Sequence, residues 1–186
     1  PVANWDQAYM LTIGREGINP RPVFSAKIHK SFAPFVDGFI TYSDGVHDDV
    51  NKVTWSMRGW DIEMEPHEIL LDYCRFHFGP KLAESAANGI LALEQNWVGP
   101  IRVNSGIELT FGYWQKLEKE NPQLAGNWRW QMMVCRAYYD TYQRRRKIYE
   151  EGLEKEANKV LTTAKEIGAE KAMEQALELV NRADTK

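Results

Sequence analysis

Apolar residues recur at helical spacing from about residue 47 onward, and Gly-Pro pairs interrupt the pattern. Pro66 begins one apolar segment, Gly79-Pro80 ends it, and Gly99-Pro100 ends the next. A period near 3.6 residues places such side chains on one face of a helix, and Gly and Pro mark where helices stop. The sequence therefore predicts a mainly α protein, with a bundle of five to seven helices.

The first 45 residues have a different pattern. Residues 22–28 and 38–43 are short runs of β-branched and aromatic residues bounded by Gly, Pro or Asp, which predicts two strands. The nine residues between them are few for a parallel crossover. The strands are therefore either antiparallel neighbours or consecutive barrel strands with a reduced crossover. Since two strands do not make an independent sheet, we expect a small α/β remnant, the last strands of a β/α barrel, that packs against other secondary structure.

Aromatic and charged residues divide the rest of the chain. Every Trp lies at or before position 130, whereas from residue 144 to the end Tyr149 is the only aromatic residue and 19 of 43 residues are charged. The predicted organisation is an α/β segment over 1–45, an aromatic-rich helical domain over 46–152, and a charged helical hairpin tail over 153–186. We expect the hairpin to turn at Gly168.

The charge distribution disfavours several classes of partner. The net charge is −3, and the basic run over 144–147 is followed at once by Glu150, Glu151 and Glu154, so we expect local ion pairs and no nucleic-acid partner. The sequence has no apolar stretch long enough to span a membrane, so we expect no membrane association. Cys74 and Cys135 lie in apolar runs and are predicted to be buried free thiols.

The densest polar cluster covers residues 42–52, between a predicted strand and a predicted helix. In α/β sheets and barrels, ligands bind at the edge where the strands end and the following helices begin. In a helix starting near residue 47, one face carries a carboxylate, an amide, an ammonium group and an indole, on Asp48, Asn51, Lys52 and Trp55. Such a face offers hydrogen bonds for hydroxyl groups and an aromatic plane for a C–H face, which fits a sugar.

Helix capping is the alternative interpretation of this cluster. Ser43 and Asp44 are good N-cap residues, and Asp48 and Lys52 are spaced for an i, i+4 ion pair. Capping accounts for any single member, but it does not require His47 beside three acids. Adjacent acids on a helix diverge, so no metal site is predicted, and no cofactor motif or nucleophile motif is present. The catalytic residues stay unknown.

The order of features over residues 38–80 resembles a known family. A Gly-Phe-Ile-Thr-Tyr strand precedes an acidic, Asn-containing loop, a helix ending in Gly59-Trp60-Asp61, a Glu-Pro-His-Glu-Ile helix start and Phe78-Gly79. This order is similar to the closing section of glycoside hydrolases with a (β/α)8 barrel, especially the microbial α-glucuronidases. In those enzymes the last strand runs into an all-helical C-terminal region that helps to wall the active site.

The resemblance implies that four residues face the substrate crevice: Asp44, His47, Asp48 and Asn51. The residue pattern, and not the resemblance, adds Trp55, whose ring is expected to stack on the sugar. The resemblance does not carry the two catalytic carboxylates, which in the family stand on middle barrel strands, expected before Pro1 in a longer protein. The chain is therefore predicted to be a C-terminal fragment of a carbohydrate-active enzyme, contributing substrate-side residues but inactive alone.

A second hypothesis treats the chain as a self-contained helical binding or scaffolding module whose hairpin over 153–183 docks a partner. Either hypothesis allows the chain to form homo-oligomers through residues 1–45 or 153–183. The sugar, the linkage and the compartment are also open. A soluble protein is expected, periplasmic or secreted at full length.

Overall fold

The computed structural model describes residues 18–42 and 46–185. The chain divides into two compact units, Pro1–Asp140 and Thr141–Lys186, and the longest helix contains the point of division. The three-part organisation predicted from composition stays a prediction. The described residues form α-helices and short 3₁₀ turns, with no β-strand among them, so the predicted mainly α class is confirmed.

Eight α-helices make up the described structure. In chain order they are α1 (Pro22–Phe32), α2 (Asp49–Trp60), α3 (Pro66–Phe78), α4 (Ala83–Gln95), α5 (Gly106–Glu120), α6 (Trp128–Thr162), α7 (Ala164–Ile167) and α8 (Ala169–Asn181). Short 3₁₀ turns extend α1 over Ala33–Phe35 and precede α2 over Val46–Asp48.

The local signals that predicted α3 act as expected. Pro66 is the first helical residue, and Glu65 and Glu68 form a reciprocal capping box around it. Gly79 ends the helix with a φ of +93°, a conformation that an L side chain rarely adopts. The spacing of Ser105 and Glu108 in the sequence also predicts a helix start with a capping box. α5 does begin there, at Gly106, but the Ser105 side chain makes no cap hydrogen bond, so the predicted capping box is wrong.

The strand predicted over 22–28 is wrong, because these residues belong to α1. Pro22 stands at the first helical position, where its missing N–H is not needed. The buried residues recur at i, i+3, i+4 and i+7, the spacing of one helix face: Pro22, Ser25, Ala26 and His29. The β-branched and aromatic residues that suggested a strand, including Val23 and Phe24, lie on the exposed side. Burial periodicity therefore outweighs β propensity here.

The second predicted strand, over 38–43, is not formed in its described part. Residues 38–42 are neither helix nor strand, and Ser43 lies outside the described residues. An extended segment needs a neighbouring strand to complete its hydrogen bonds, and the described residues provide none. The remainder of the predicted α/β segment, residues 1–17, also lies outside the description.

The core of the first unit is aromatic. α1 packs on α2, α3 on α4, and α4 on α5. Trp130 lies at the centre, with its ring centroid 5.3 Å from that of Phe78 and 5.3 Å from that of Trp114. Four of the described aromatic residues are buried in this way, Tyr73, Phe78, Trp114 and Trp130, whereas most of the others are exposed.

A glycine in α4 allows the closest approach in this core. The Trp114 indole N–H donates to the Gly89 carbonyl at 3.1 Å. A Cβ at residue 89 would lie 2.8 Å from the Trp114 ring, closer than van der Waals contact allows. The absence of a side chain at Gly89 therefore lets α5 place a fully buried indole against the α4 backbone.

The second unit contains the end of α6, with α7 and α8. Gly168 separates α7 from α8 with a φ of +91°, so a helix break lies at the predicted position, and the hairpin itself stays a prediction. Arg146 Nε lies 2.6 Å from Glu150 Oε1, and Lys147 Nζ lies 3.1 Å from Glu151 Oε1. The basic run thus pairs with the glutamates that follow it, as predicted.

Both cysteines are free thiols, as the sequence predicts. Cys74 is fully buried, and burial raises its pKa to about 12. Cys135 is only partly buried, so the prediction of full burial is wrong for this residue.

Candidate functional site

A cavity of about 540 Å³ lies between α1, the segment that follows it, and α2. Its volume is in the range of small-molecule sites, which combine apolar walls with a few convergent polar groups. The walls are mainly aromatic and aliphatic, with polar side chains contributed by α1 and α2. The lining side chains used below are Ser25, His29, Phe39, Asp48, Asn51, Lys52 and Trp55.

The predicted helix face does line one cavity. Asp48 lies at the start of α2, and Asn51, Lys52 and Trp55 follow along the same side. His47 is not among the described residues that line the cavity. Asp44 lies outside the described residues. The structure thus brings together three of the five predicted binding residues, and their contact with a ligand stays a prediction.

Asn51 has a structural role within this wall. Its Oδ1 accepts a hydrogen bond from the Arg21 backbone N–H at 2.7 Å, and its Nδ2 donates to the Asn19 carbonyl at 2.9 Å. Both ends of the amide are therefore engaged at the start of α1. Asn51 therefore joins the start of α1 to α2 and fixes the spacing of the two helices that form the cavity.

An ionic cluster fixes the first turn of α2. Arg129 donates from Nε to Asp49 Oδ2 at 2.7 Å and from Nη2 to Oδ1 at 3.2 Å, and the Tyr73 hydroxyl donates to Oδ2 at 2.7 Å. Burial opposes ionisation of Asp49, but these hydrogen bonds outweigh it and hold the pKa below its usual value. The carboxylate therefore ties α2 to α3 and α6, and it positions the neighbouring Asp48.

The start of α1 is held by a carboxylate from another helix. Glu94 of α4 accepts from the Val23 N–H at 2.9 Å and from the Phe24 N–H at 2.8 Å. These are two of the donors that every helix leaves unpaired at its N-terminus. The negative charge also complements the helix dipole.

His29 is a cavity residue that the sequence interpretation missed. It is 6% exposed, and its ring lies edge-on to Trp55 at 5.2 Å between centroids. Burial lowers the pKa of His29, and the positive charge of Arg58 lowers it further. The i, i+3, i+4, i+7 spacing of the buried residues in 22–29 was the signal that could have found it.

This buried histidine predicts a dependence of stability on pH. In the unfolded chain a histidine gains a proton near pH 6.5, whereas folded His29 resists protonation. The free energy of unfolding is therefore expected to be highest above about pH 7 and to fall as the pH drops through about 6.5. Urea unfolding at about pH 8 and at about pH 5.5 measures this loss.

The His29→Phe variant provides the comparison. It should lose less stability than the wild type between those two pH values. Above about pH 8, the difference between the two proteins should be constant, because His29 is neutral in both states there. Parallel stability curves across the whole range would contradict the assignment.

A second cavity, of about 320 Å³, is less suited to a polar ligand. Glu118, Asn121 and Tyr138 contribute to its wall, but the Tyr138 hydroxyl already donates to Glu118 and the Asn121 amide to the Leu117 carbonyl. These groups are therefore engaged within the protein. The larger cavity is the better candidate site.

Two classes of site are not found in the described part of the chain. Within residues 18–42 and 46–185, no group of three or more His, Cys, Asp or Glu side chains is arranged to hold a metal ion. None of the described helices has the length and apolar character needed to cross a bilayer.

Comparison of the chain with protein-family models, curated proteins and solved structures finds no match. The chemistry of the cavity and the order of features in the sequence therefore carry the functional argument.

Proposed function

We propose that this chain is the C-terminal part of a carbohydrate-active enzyme of the glycoside hydrolase type. Its role in the proposal is to contribute substrate-side contacts through the cavity beside α2. The observation that carries the proposal is the juxtaposition of an indole with a carboxylate and an ammonium group on one wall, from Trp55, Asp48 and Lys52.

These groups match the chemistry of a sugar ring. A pyranose has hydroxyl groups around its edge and C–H groups across its faces. Asp48 accepts hydrogen bonds and Lys52 donates them, while the Trp55 ring offers an apolar surface for a C–H face. Directional polar groups beside an apolar wall are what orient a ligand in a cavity of this size.

The same lining favours binding over cleavage by the isolated chain. Glycoside hydrolysis requires two carboxyl groups on either side of the bond, about 5–10 Å apart. Asp48 is the only carboxylate among the described residues that line the cavity. In this proposal Asp48 is a substrate contact, and both catalytic carboxylates belong to another part of a longer protein.

Calorimetric titration with xylohexaose, cellohexaose and glucuronoxylan oligosaccharides tests the proposal. At least one of them should bind, and Trp55→Ala should weaken that binding about tenfold, equivalent to about 1.4 kcal/mol. Trp60→Ala is the matched control, because Trp60 lies on the same helix but is 91% exposed and does not line the cavity. Its affinity should stay within about twofold of the wild type.

Two outcomes would count against the proposal. One is the absence of binding by every oligosaccharide in the panel. The other is binding that Trp55→Ala and Trp60→Ala weaken equally, since that would place the sugar elsewhere. Either result would favour the self-contained helical binding module.

A further inference from the structure

Three aromatic rings meet inside the cavity. The Phe39 ring centroid lies 5.3 Å from that of His29 and 5.6 Å from that of Trp55. His29 and Trp55 belong to α1 and α2, whereas Phe39 belongs to the irregular segment between these helices. Phe39 therefore covers two rings that the helices hold in place.

The position of the Phe39 ring depends on a glycine of α2. A Cβ at Gly59 would lie 2.5 Å from Phe39 Cε1 and 2.7 Å from Cζ. The ring thus lies against bare helix backbone on one side, with His29 and Trp55 beside it. We call this place, formed by His29, Trp55 and Gly59, the aromatic seat.

The segment that carries Phe39 is weakly held. The backbone of residues 37–41 makes no hydrogen bond to another part of the chain that the structure describes. Ile40, the next residue, is 99% exposed. Few backbone contacts therefore oppose local opening of this segment, and the contacts of the Phe39 ring are what hold it.

A polar atom beside the seat is unsatisfied. His29 Nδ1 is buried and has no hydrogen-bond partner among the described residues. Buried polar atoms in folded proteins are nearly always hydrogen-bonded, so an exception next to a cavity points to a missing partner. A neutral imidazole nitrogen without its proton accepts a hydrogen bond from a hydroxyl group.

We propose that the aromatic seat is the sugar-binding subsite of the cavity and that the Phe39 ring occupies it until a ligand arrives. An incoming pyranose displaces Phe39, lays a C–H face on Trp55 and donates a hydroxyl hydrogen bond to His29 Nδ1. This inference rests on the proposed carbohydrate function. It adds a binding residue, His29, and a residue that competes with the ligand, Phe39.

Two substitutions with opposite expected effects test the proposal on the full chain. Phe39→Ala empties the seat and should tighten binding of the oligosaccharide that the wild type prefers, by at least about threefold. Gly59→Ala, made in the Phe39→Ala background, places a methyl group in the emptied seat and should weaken binding by at least about fivefold relative to Phe39→Ala alone. Calorimetry with the same three oligosaccharides measures both, and circular dichroism verifies that each variant is folded.

Two further variants separate the subsite from general effects. Phe35→Ala removes a phenyl ring that is exposed and outside the cavity, so it should leave the affinity unchanged. His29→Phe in the Phe39→Ala background keeps a ring in the wall but removes the acceptor. It should abolish the gain in affinity, because no atom then receives the hydroxyl hydrogen bond.

The opposite sign for Phe39→Ala would overturn the inference. Weaker binding would mean that Phe39 is a platform for the sugar, and unchanged binding would mean that it only packs. In both cases a sugar that still depends on Trp55 leaves the proposed function standing. If no oligosaccharide binds any variant, including Phe39→Ala, the proposed function fails and this inference fails with it.

Discussion

Replacing Asp140 by Ala is expected to lower the free energy of unfolding by about 3–5 kcal/mol, because it leaves a buried guanidinium without its counter-charge. Arg136 Nη2 lies 2.6 Å from Asp140 Oδ1, and both residues are 5% exposed. Asn96 Nδ2 also donates to Asp140 Oδ2 at 2.8 Å. Chemical denaturation of the two proteins measures the loss.

The environment of Arg136 explains the size of the effect. Its Nη1 donates to the Ile18 carbonyl at 2.7 Å, and its Cζ lies 4.0 Å from the centroid of the Trp97 ring. The guanidinium is therefore buried, and removing the carboxylate leaves its charge without its principal partner. A charge in that position has lost its solvation as well as its partner.

Two controls make the measurement specific. Asp72→Ala removes the carboxylate of an exposed pair with Arg75 and should cost less than about 1 kcal/mol. The double variant Arg136→Met/Asp140→Leu removes both buried charges and should recover part of the loss. A cost for Asp140→Ala no larger than that for Asp72→Ala would show that Arg136 does not depend on this carboxylate.

Replacing Glu94 by Ala is expected to cost about 2–3 kcal/mol, since it removes two charge-assisted hydrogen bonds from the start of α1. Glu94 is 6% exposed, and its two oxygens accept from Val23 and Phe24. Hydrogen exchange should therefore quicken first at these two amides. The free energy of unfolding from urea titration gives the total.

Glu94→Gln is the graded control for this prediction. It keeps one acceptor oxygen but loses the charge, so its free energy of unfolding should lie between those of the wild type and the Ala variant. Glu84→Ala, on the exposed side of the same helix, should cost less than about 1 kcal/mol. Unchanged exchange at Val23 and Phe24 in Glu94→Ala would contradict the assignment.

The helices from α2 to α6 were predictable because their signals are local. Pro66 and Gly79 mark the ends of α3 through the backbone conformations that Pro and Gly allow. The same reasoning failed for 22–28, where Val23 and Phe24 suggested a strand. The N-terminus of that helix is completed by Glu94, some 70 residues away, and no local rule predicts such a contact.

The candidate site was predictable only as a helix face. The spacing of Asp48, Asn51 and Trp55 placed them on one side of α2, and the structure agrees. The spacing could not show that the Asn51 amide bonds to Arg21 and Asn19, nor that His29 and Phe39 complete the cavity. Those facts depend on which segments meet in space, and periodicity within one helix carries no such information.

Residue spacing and the backbone limits of Gly and Pro were enough to predict the helical class, the ends of α3 and one polar face of α2, because these features are local. Contacts between distant segments were needed to show that 22–32 is a helix, that Phe39 covers His29 and Trp55, and that Asp140 compensates a buried Arg136. These outcomes follow from burial. Removing a group from water makes its energy depend on neighbours that are distant in the chain.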